Sequence, residues 1–329
     1  MYFYLKNLTA TQQIGALFVL VFGLLLLASI TTFLMSVREH GDDAHGEAVR
    51  QELKSVDGML RSSWLMVFVF WVAWMTGDWV ALTVFGFVSF FSLREFLTLS
   101  PTRLGDHRSL VLAFFVVLPA QYWLVGSGHF DMFAVFIPVY VFLALPLASA
   151  LANDPLRFLE RNAKLQWGIM VCIYGMSHVP ALLMLQFPGY DNQNAFLVFF
   201  LVLVVQICMV TQHFASRKLD RPPVAPAISR SFNWRSWWIG IAVGSLVGAL
   251  LAGITPWVPG TAFAFAFIAC TAGSLGHFVM KALKRDRGIP NWGAQGQSST
   301  GAGGLLDRVD ALCFAAPVFF HSARWYFNI

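Results

Sequence analysis

Long apolar runs alternate with short polar breaks along the whole chain. A helix that crosses a bilayer needs about 20 predominantly apolar residues. Ten stretches approach or reach that length: 14–36, 62–76, 79–99, 109–126, 130–152, 166–187, 194–212, 236–256, 260–280 and 309–327. The second and third are short and are separated only by Gly77 and Asp78. In lipid every backbone N–H and C=O must be bonded within the protein, which leaves helices and closed barrels. The runs are too long for barrel strands of about 10 residues. The pattern therefore predicts an all-α polytopic membrane protein with about ten transmembrane helices.

Charge sets the expected orientation. Of the 22 Lys and Arg residues, 20 fall in the segments 37–61, 94–108, 153–165, 213–235 and 281–308. The alternate turns, 77–78, 127–129, 188–193 and 257–259, contain none. Basic loops stay on the cytoplasmic side, so these five share it and both termini lie opposite. The alternation also supports the break at Gly77-Asp78, because 37–61 and 94–108 then face the same way. Within the first basic loop, "EAVRQELKSVDGML" aligns Val49, Leu53, Val56 and Leu60 along one helical stripe. That stripe suits a helix lying on the leaflet and suits a solvated linker helix equally. The chain divides into 1–61, an N-terminal transmembrane helix with an amphipathic cytoplasmic linker, and 62–329, the main transmembrane domain.

Composition agrees with the pattern. The chain is 57% hydrophobic and only 12% charged, against about 25% charged in an average soluble domain. The first apolar run is longer than a signal-peptide core and is followed by many others, so a cleaved leader is not expected. Cys172, Cys208, Cys270 and Cys313 all fall inside expected spans without a CxxC pair, which argues against a disulfide or zinc framework. Nucleic acid is not expected as a partner; membrane lipid is.

Two basic loops concentrate the chemistry: "RKLDRPPVAPAISRSFNWR" (217–235) and the stretch 281–310, which ends in "TGAGGLLDRVD". Gly and Pro mark both as loops rather than helices. With the last span starting near Leu305, Asp307 and Asp310 share a helical face. Carboxylates that close repel each other unless a cation holds them, and a divalent ion completed by phosphate oxygens and water does so. Gly301, Gly303 and Gly304 permit close backbone approach, and N–H groups at a helix start favour an anion. Lys284, Arg285, Arg287 and Arg308 add positive charge nearby. The set suits a nucleotide- or diphosphate-handling site at a membrane surface. A snorkelling basic collar neutralised by aspartates is the alternative. His178 and His321 lie inside spans and read as hydrogen-bonded packing residues, and Gln206 and Gln212 as interhelical contacts.

Lys284-Arg285, followed after a Gly-rich stretch by "GGLLDRVD" (303–310), resembles the signature of the phosphatidate cytidylyltransferases, the CDP-diacylglycerol synthases. "SLREFLTLSPTRLGDHRSL" (92–110), "FIPVYVFLALP" (136–146) and "RFLERNAKLQWGIMVCIYGMSHVPALLML" (157–185) are similar to a bacterial branch of that family, so the likeness extends from about residue 62 onward. The resemblance implies a multi-pass enzyme of the bacterial inner membrane with cytoplasmic active-site loops. It implies transfer of CMP from CTP to phosphatidate, with Mg²⁺ as cofactor and a homodimer as assembly. Carried over residue by residue, Asp307, Asp310 and Lys284 become catalytic. Arg285, Arg308, Gly303, Gly304 and Ser229 become substrate-phosphate ligands, and Asp307 and Asp310 become metal ligands.

Other positions depart from the signature. The histidine before the glycine pair is Ala302, and the Lys-Asp pair after Lys284-Arg285 is Pro290-Asn291. The expected Gly-Asp is Gly276-His277, and the serine ahead of Lys284-Arg285 is Lys281. An aspartate of the seventh span is Met209, and the lysine of a Ser-Pro-x-Lys-Thr element running from Ser229 to Asn233 is Phe232. These changes fall on charged and imidazole groups while the apolar scaffold is retained. Three readings remain: a phosphatidate cytidylyltransferase with an altered site, a family member that binds lipid or nucleotide or acts as a scaffold, and a transporter or unrelated membrane protein. The absence of an internal repeat and the placing of charge in loops disfavour the third.

Overall fold

The apolar runs fold as helices, and helices satisfy their own backbone polar groups in lipid. The computed structural model describes residues 10–38, 77–99, 103–187, 193–219, 221–289 and 304–329, with several positions between 60 and 71, Tyr190, Asn291 and Trp292. The amphipathic stripe of 37–61 and most of the 62–76 run lie outside the described residues. The described helices are α1 (Ala10–Arg38), α2 (Asp78–Thr98), α3 (His107–Gly126), α4 (Phe130–Ala150), α5 (Phe158–Met184), α6 (Asn194–Lys218), α7 (Trp234–Ile254), α8 (Pro259–Asp286) and α9 (Leu306–Phe327). Turns of π-helix interrupt α3, α4 and α5 at Ala113–Val117, Phe136–Val141 and Met170–Gly175. Pro119 and Pro138 lie beside or within the first two of these turns. Proline cannot donate to the helical ladder, and a wider turn accommodates it.

The molecule is a polytopic helical membrane protein. Among the described residues seven helices, α2 to α8, are long and apolar enough to cross a bilayer. α1 is helical through the whole of the first expected span. The last expected span differs in character. α9 is helical as expected, but Asp307, Arg308 and Asp310 in its first turns and His321 and Arg324 near its end make it less apolar. It is sheltered instead, with Leu306, Leu312, Ala315, Ala316, Phe319 and Phe320 buried against α5, α8 and α6. Several helices also run past the expected limits. α5 begins at Phe158, α6 continues to Lys218 and α8 continues to Asp286. The stretch 281–286 is therefore helix, a correction to its reading as loop. Its first breaker is Gly288, which takes a positive φ of 67°, and Lys284 and Arg285 in the last turn suit the negative end of the helix dipole.

Small residues let the helices approach closely, as packing in lipid requires. A Cβ on Gly175 of α5 would sit 2.2 Å from the Cys313 carbonyl of α9. One on Gly276 of α8 would sit 2.2 Å from the Phe314 side chain of α9. α9 is thus pressed between two partners and has no freedom to slide. Toward the lipid the helices present Phe87, Phe115, Leu143, Leu147 and Leu246, all exposed. Trp79, Trp123 and Trp325 mark one end of the bundle and Trp234 and Trp238 the other, as interfacial tryptophans do.

The two ends of the bundle separate by charge, as the loop count implies. At the basic end a buried guanidinium, Arg161 of α5, binds three segments together. It lies 2.9 Å from Asp106 and 2.7 Å from Asp154, and it also donates to the Asp154 and Leu156 carbonyls. Arg103 closes the ring by donating its Nε to Asp154 at 3.1 Å and its backbone N–H to Asp106. At the opposite end Arg324 pairs with Asp131 at 2.9 Å, the Tyr190 hydroxyl donates to the Ile254 carbonyl, and Phe187 packs on Phe327. His178 and His321, read separately as packing residues, meet there. Their Nε2 atoms lie 3.2 Å apart, and the Tyr174 hydroxyl is 3.3 Å from His321.

Loss of solvation works against ionisation of Asp154, but the Leu156 N–H and the Arg161 and Arg103 guanidiniums outweigh it and hold the carboxyl below its ordinary value of 3.8. A depressed carboxylate stabilises the fold above its unfolded value, and that contribution is lost as pH falls through the lower folded value. Unfolding midpoints in detergent should therefore decline below about pH 4, and Asp154→Asn should flatten the decline. Arg161→Met leaves Asp106 buried without its counter-charge and should destabilise by about 3–5 kcal/mol. The topology has its own test. All four native cysteines are buried, so a cysteine placed at Asp286 should react with an impermeant maleimide from one face of the membrane only. One placed at Ser127 should react only from the other face.

Candidate functional site

The site forms where α8, α9 and α2 end together on the basic side. α8 carries His277, Lys281 and Lys284 at i, i+4 and i+7, which is one face of a helix. α9 carries Asp307 and Asp310 at i, i+3, facing them. Lys284 Nζ donates to Asp307 Oδ1 at 2.6 Å, and His277 Nδ1 lies 2.7 Å from Asp310 Oδ2. The remaining aspartate oxygens are engaged as well. Asp307 Oδ2 accepts the Trp292 N–H at 2.6 Å, and Asp310 Oδ1 accepts the Ala311 N–H at 2.6 Å. Lys281 lies on the same stripe, within the fields of Asp310 and Lys284.

Two residues outside the motif hold this arrangement. Glu95, buried in α2, accepts the Leu306 N–H at 2.9 Å and so caps α9 from a helix 211 residues earlier. The N-terminal N–H groups of a helix need such acceptors. Trp292, fully buried, packs its ring 5.5 Å from Phe96 of α2 and fixes Asp307 through its backbone. The sequence reading placed the charges in loops and missed Glu95, although a carboxylate inside the 79–99 run was itself the signal.

The expected site residues do not all meet. Asp307, Asp310 and Lys284 come together. Arg308 is half-buried beside them in the first turn of α9, and Arg285 is exposed at the end of α8. Gly303 lies outside the described residues. Gly304 has a different role from the one expected. A Cβ there would sit 2.6 Å from Trp292, so the missing side chain makes room for the indole rather than for a phosphate. Ser229 is buried in the α6–α7 connection, where its hydroxyl faces Ser231 at 3.4 Å. No hydrogen bond among the described residues links it to the aspartates. Phe232, at the departed lysine position, packs 4.5 Å from Phe278 of α8, and Asn233 caps α7 by accepting the Ser236 N–H. That segment has turned to packing.

The donor set does not fit a divalent ion held by the protein alone. Each oxygen of Asp307 and Asp310 already accepts from nitrogen, Glu95 offers only Oε1 once Oε2 has accepted from Leu306, and basic side chains face both aspartates. Among the described residues no group of three His, Cys, Asp or Glu side chains could hold a metal ion. A hard cation needs oxygen ligands that are free of competing positive charge.

Comparison with known proteins agrees with this architecture. The model of the cytidylyltransferase family matches residues 59–326. The chain belongs to the cytidylyltransferase family. Membership implies nucleotide and lipid substrates in general terms. The chain is 31% identical over 268 residues to a protein of Escherichia coli (strain K12) named uncharacterized protein YnbB, spanning 81% of this chain and 86% of that one. It is 30% identical over 175 residues to the phosphatidate cytidylyltransferase of Mycobacterium leprae (strain TN), about half of each chain (52% and 52%). It is 31% identical over 125 residues to the phosphatidate cytidylyltransferase of Brucella abortus (strain 2308), 37% of this chain and 45% of that one.

The cap on α9 is testable. Glu95→Ala leaves the buried Leu306 N–H without an acceptor and should cost about 1–3 kcal/mol. Glu95→Gln retains an acceptor oxygen and should recover most of that loss, both read from unfolding in mixed micelles.

Proposed function

We propose that this cytidylyltransferase-family member transfers CMP from CTP to phosphatidate, giving CDP-diacylglycerol and pyrophosphate in the membrane of a bacterial cell. In this scheme a phosphate oxygen of the lipid attacks the α-phosphorus of CTP. A new P–O bond forms, the bond to the bridging β-oxygen breaks, and pyrophosphate carries away the electron pair. The observation that carries the reading is the paired face of α8 and α9. It places fixed positive and negative charge at the basic end of a lipid-embedded bundle. A phospholipid can bring its headgroup to that level while its tails stay between the helices' lipid-facing side chains. Such a reaction asks little covalent work of the protein, and alignment with charge neutralisation supplies most of the acceleration. Lys284, Arg285 and Arg308 face the phosphates, while Asp307 and Asp310 hold the basic groups in register. Mg²⁺ belongs in this proposal to the nucleotide, as the ion that accompanies its phosphates.

A second reading is favoured by one observation. Each oxygen of both aspartates already accepts from a protein donor, which suits a member that binds nucleotide or lipid without turning it over. Purified protein supplied with labelled CTP, phosphatidate and Mg²⁺ in mixed micelles distinguishes the two. Transfer should label the lipid, and Asp310→Asn should lower the rate about 10²-fold or more. Bound CTP without lipid labelling supports the binding reading and excludes transfer to phosphatidate.

A further inference from the structure

We propose that Lys281 is a further phosphate-binding cation of this site and acts where a protein-held divalent ion does not fit. The inference deepens the cytidylyl-transfer reading and rests on it for the origin of the phosphate. The site itself rests on the geometry of α8. Along the stripe His277–Lys281–Lys284 the outer two groups are committed, His277 to Asp310 and Lys284 to Asp307. Lys281, between them, makes no hydrogen bond or ion pair among the described residues, and its side chain is half-buried. An ammonium in that position has lost part of its hydration and, although Asp310 is near, makes no hydrogen bond among the described residues, a state that a ligand anion relieves.

Local charge points the same way. Three carboxylates, Glu95, Asp307 and Asp310, share this end of the bundle with four basic side chains, Lys281, Lys284, Arg285 and Arg308. The surplus is positive before any metal is added. A resident divalent ion would increase that surplus, whereas a phosphate group would balance it. Lysine supplies a compact point charge with three rotatable donors, suited to phosphate oxygens. The ligand class is thus a multiply charged phosphate, either the polyphosphate of a nucleotide or the headgroup of a phosphomonoester lipid.

The test is calorimetry on the purified protein in detergent with EDTA present. One arm is titrated with inorganic pyrophosphate and a second with short-chain phosphatidate. Wild-type protein should bind at least one probe without metal, and Mg²⁺ should change that affinity less than about threefold. Lys281→Gln should weaken it about tenfold or more, the loss expected for a charge-assisted contact, while Lys281→Arg should stay within about threefold of wild type. Weakening confined to pyrophosphate assigns Lys281 to the nucleotide, and weakening confined to phosphatidate assigns it to the lipid. Binding that requires Mg²⁺, or that Lys281→Gln leaves within twofold, overturns the proposal. Should Lys281→Gln fail to fold, Lys281→Met, which keeps the apolar stem, decides by the same thresholds. Transfer activity separates the two proposals. Metal-free binding through Lys281 without lipid labelling upholds this inference and defeats CMP transfer. Lipid labelling that Lys281→Gln leaves unchanged does the reverse.

Discussion

The candidate site depends on one buried contact, the carboxylate of Glu95 on the first free N–H of α9. A helix start inside a protein leaves N–H groups that must be met, and α9 begins at a level where the protein, not water, surrounds it. Its own sequence offers no side-chain cap there. The acceptor comes instead from α2. Because the contact is buried at both ends, it fixes the height of α9 relative to α2. The narrow approaches at Gly175 and Gly276 fix its lateral position. Asp307 and Asp310 reach their partners on α8 only with all three constraints in place.

The same constraints explain the mixed character of α9. It bears charge at both ends and is less apolar than its neighbours, yet much of it is buried. Charged residues within a membrane protein are costly unless paired or placed at the protein interior. Here Asp307 meets Lys284, Asp310 meets His277 and Arg324 meets Asp131. The helix is thus the polar axis of a bundle whose outer members face lipid. Arg161, with Asp106 and Asp154, ties the connections beside it, so the basic end holds together through ionic contacts where the rest of the bundle relies on close packing.

The departures from the phosphatidate cytidylyltransferase pattern gain a common physical sense from this geometry. His277 and Lys281 place basic groups on one face of α8, next to the aspartates, while Phe232 packs against Phe278 and offers no charge from the α6–α7 connection.

Much of this was legible in the sequence. The apolar runs determined a helical membrane protein, because hydrophobic length acts locally and independently of partners. "GGLLDRVD" determined the family and located Asp307 and Asp310. The tertiary structure alone decided what those aspartates touch. Lys281 and Lys284 were visible as charges, but their common face with His277 followed only once α8 proved helical to Asp286. Gly304 read as room for a ligand, and the fold filled that room with Trp292. Glu95 gave its signal as a lone carboxylate in an apolar run, yet nothing nearby in sequence names its partner. Contacts such as Glu95 with Leu306 join residues far apart in the chain, and local periodicity carries no information about pairs that only helix packing brings together.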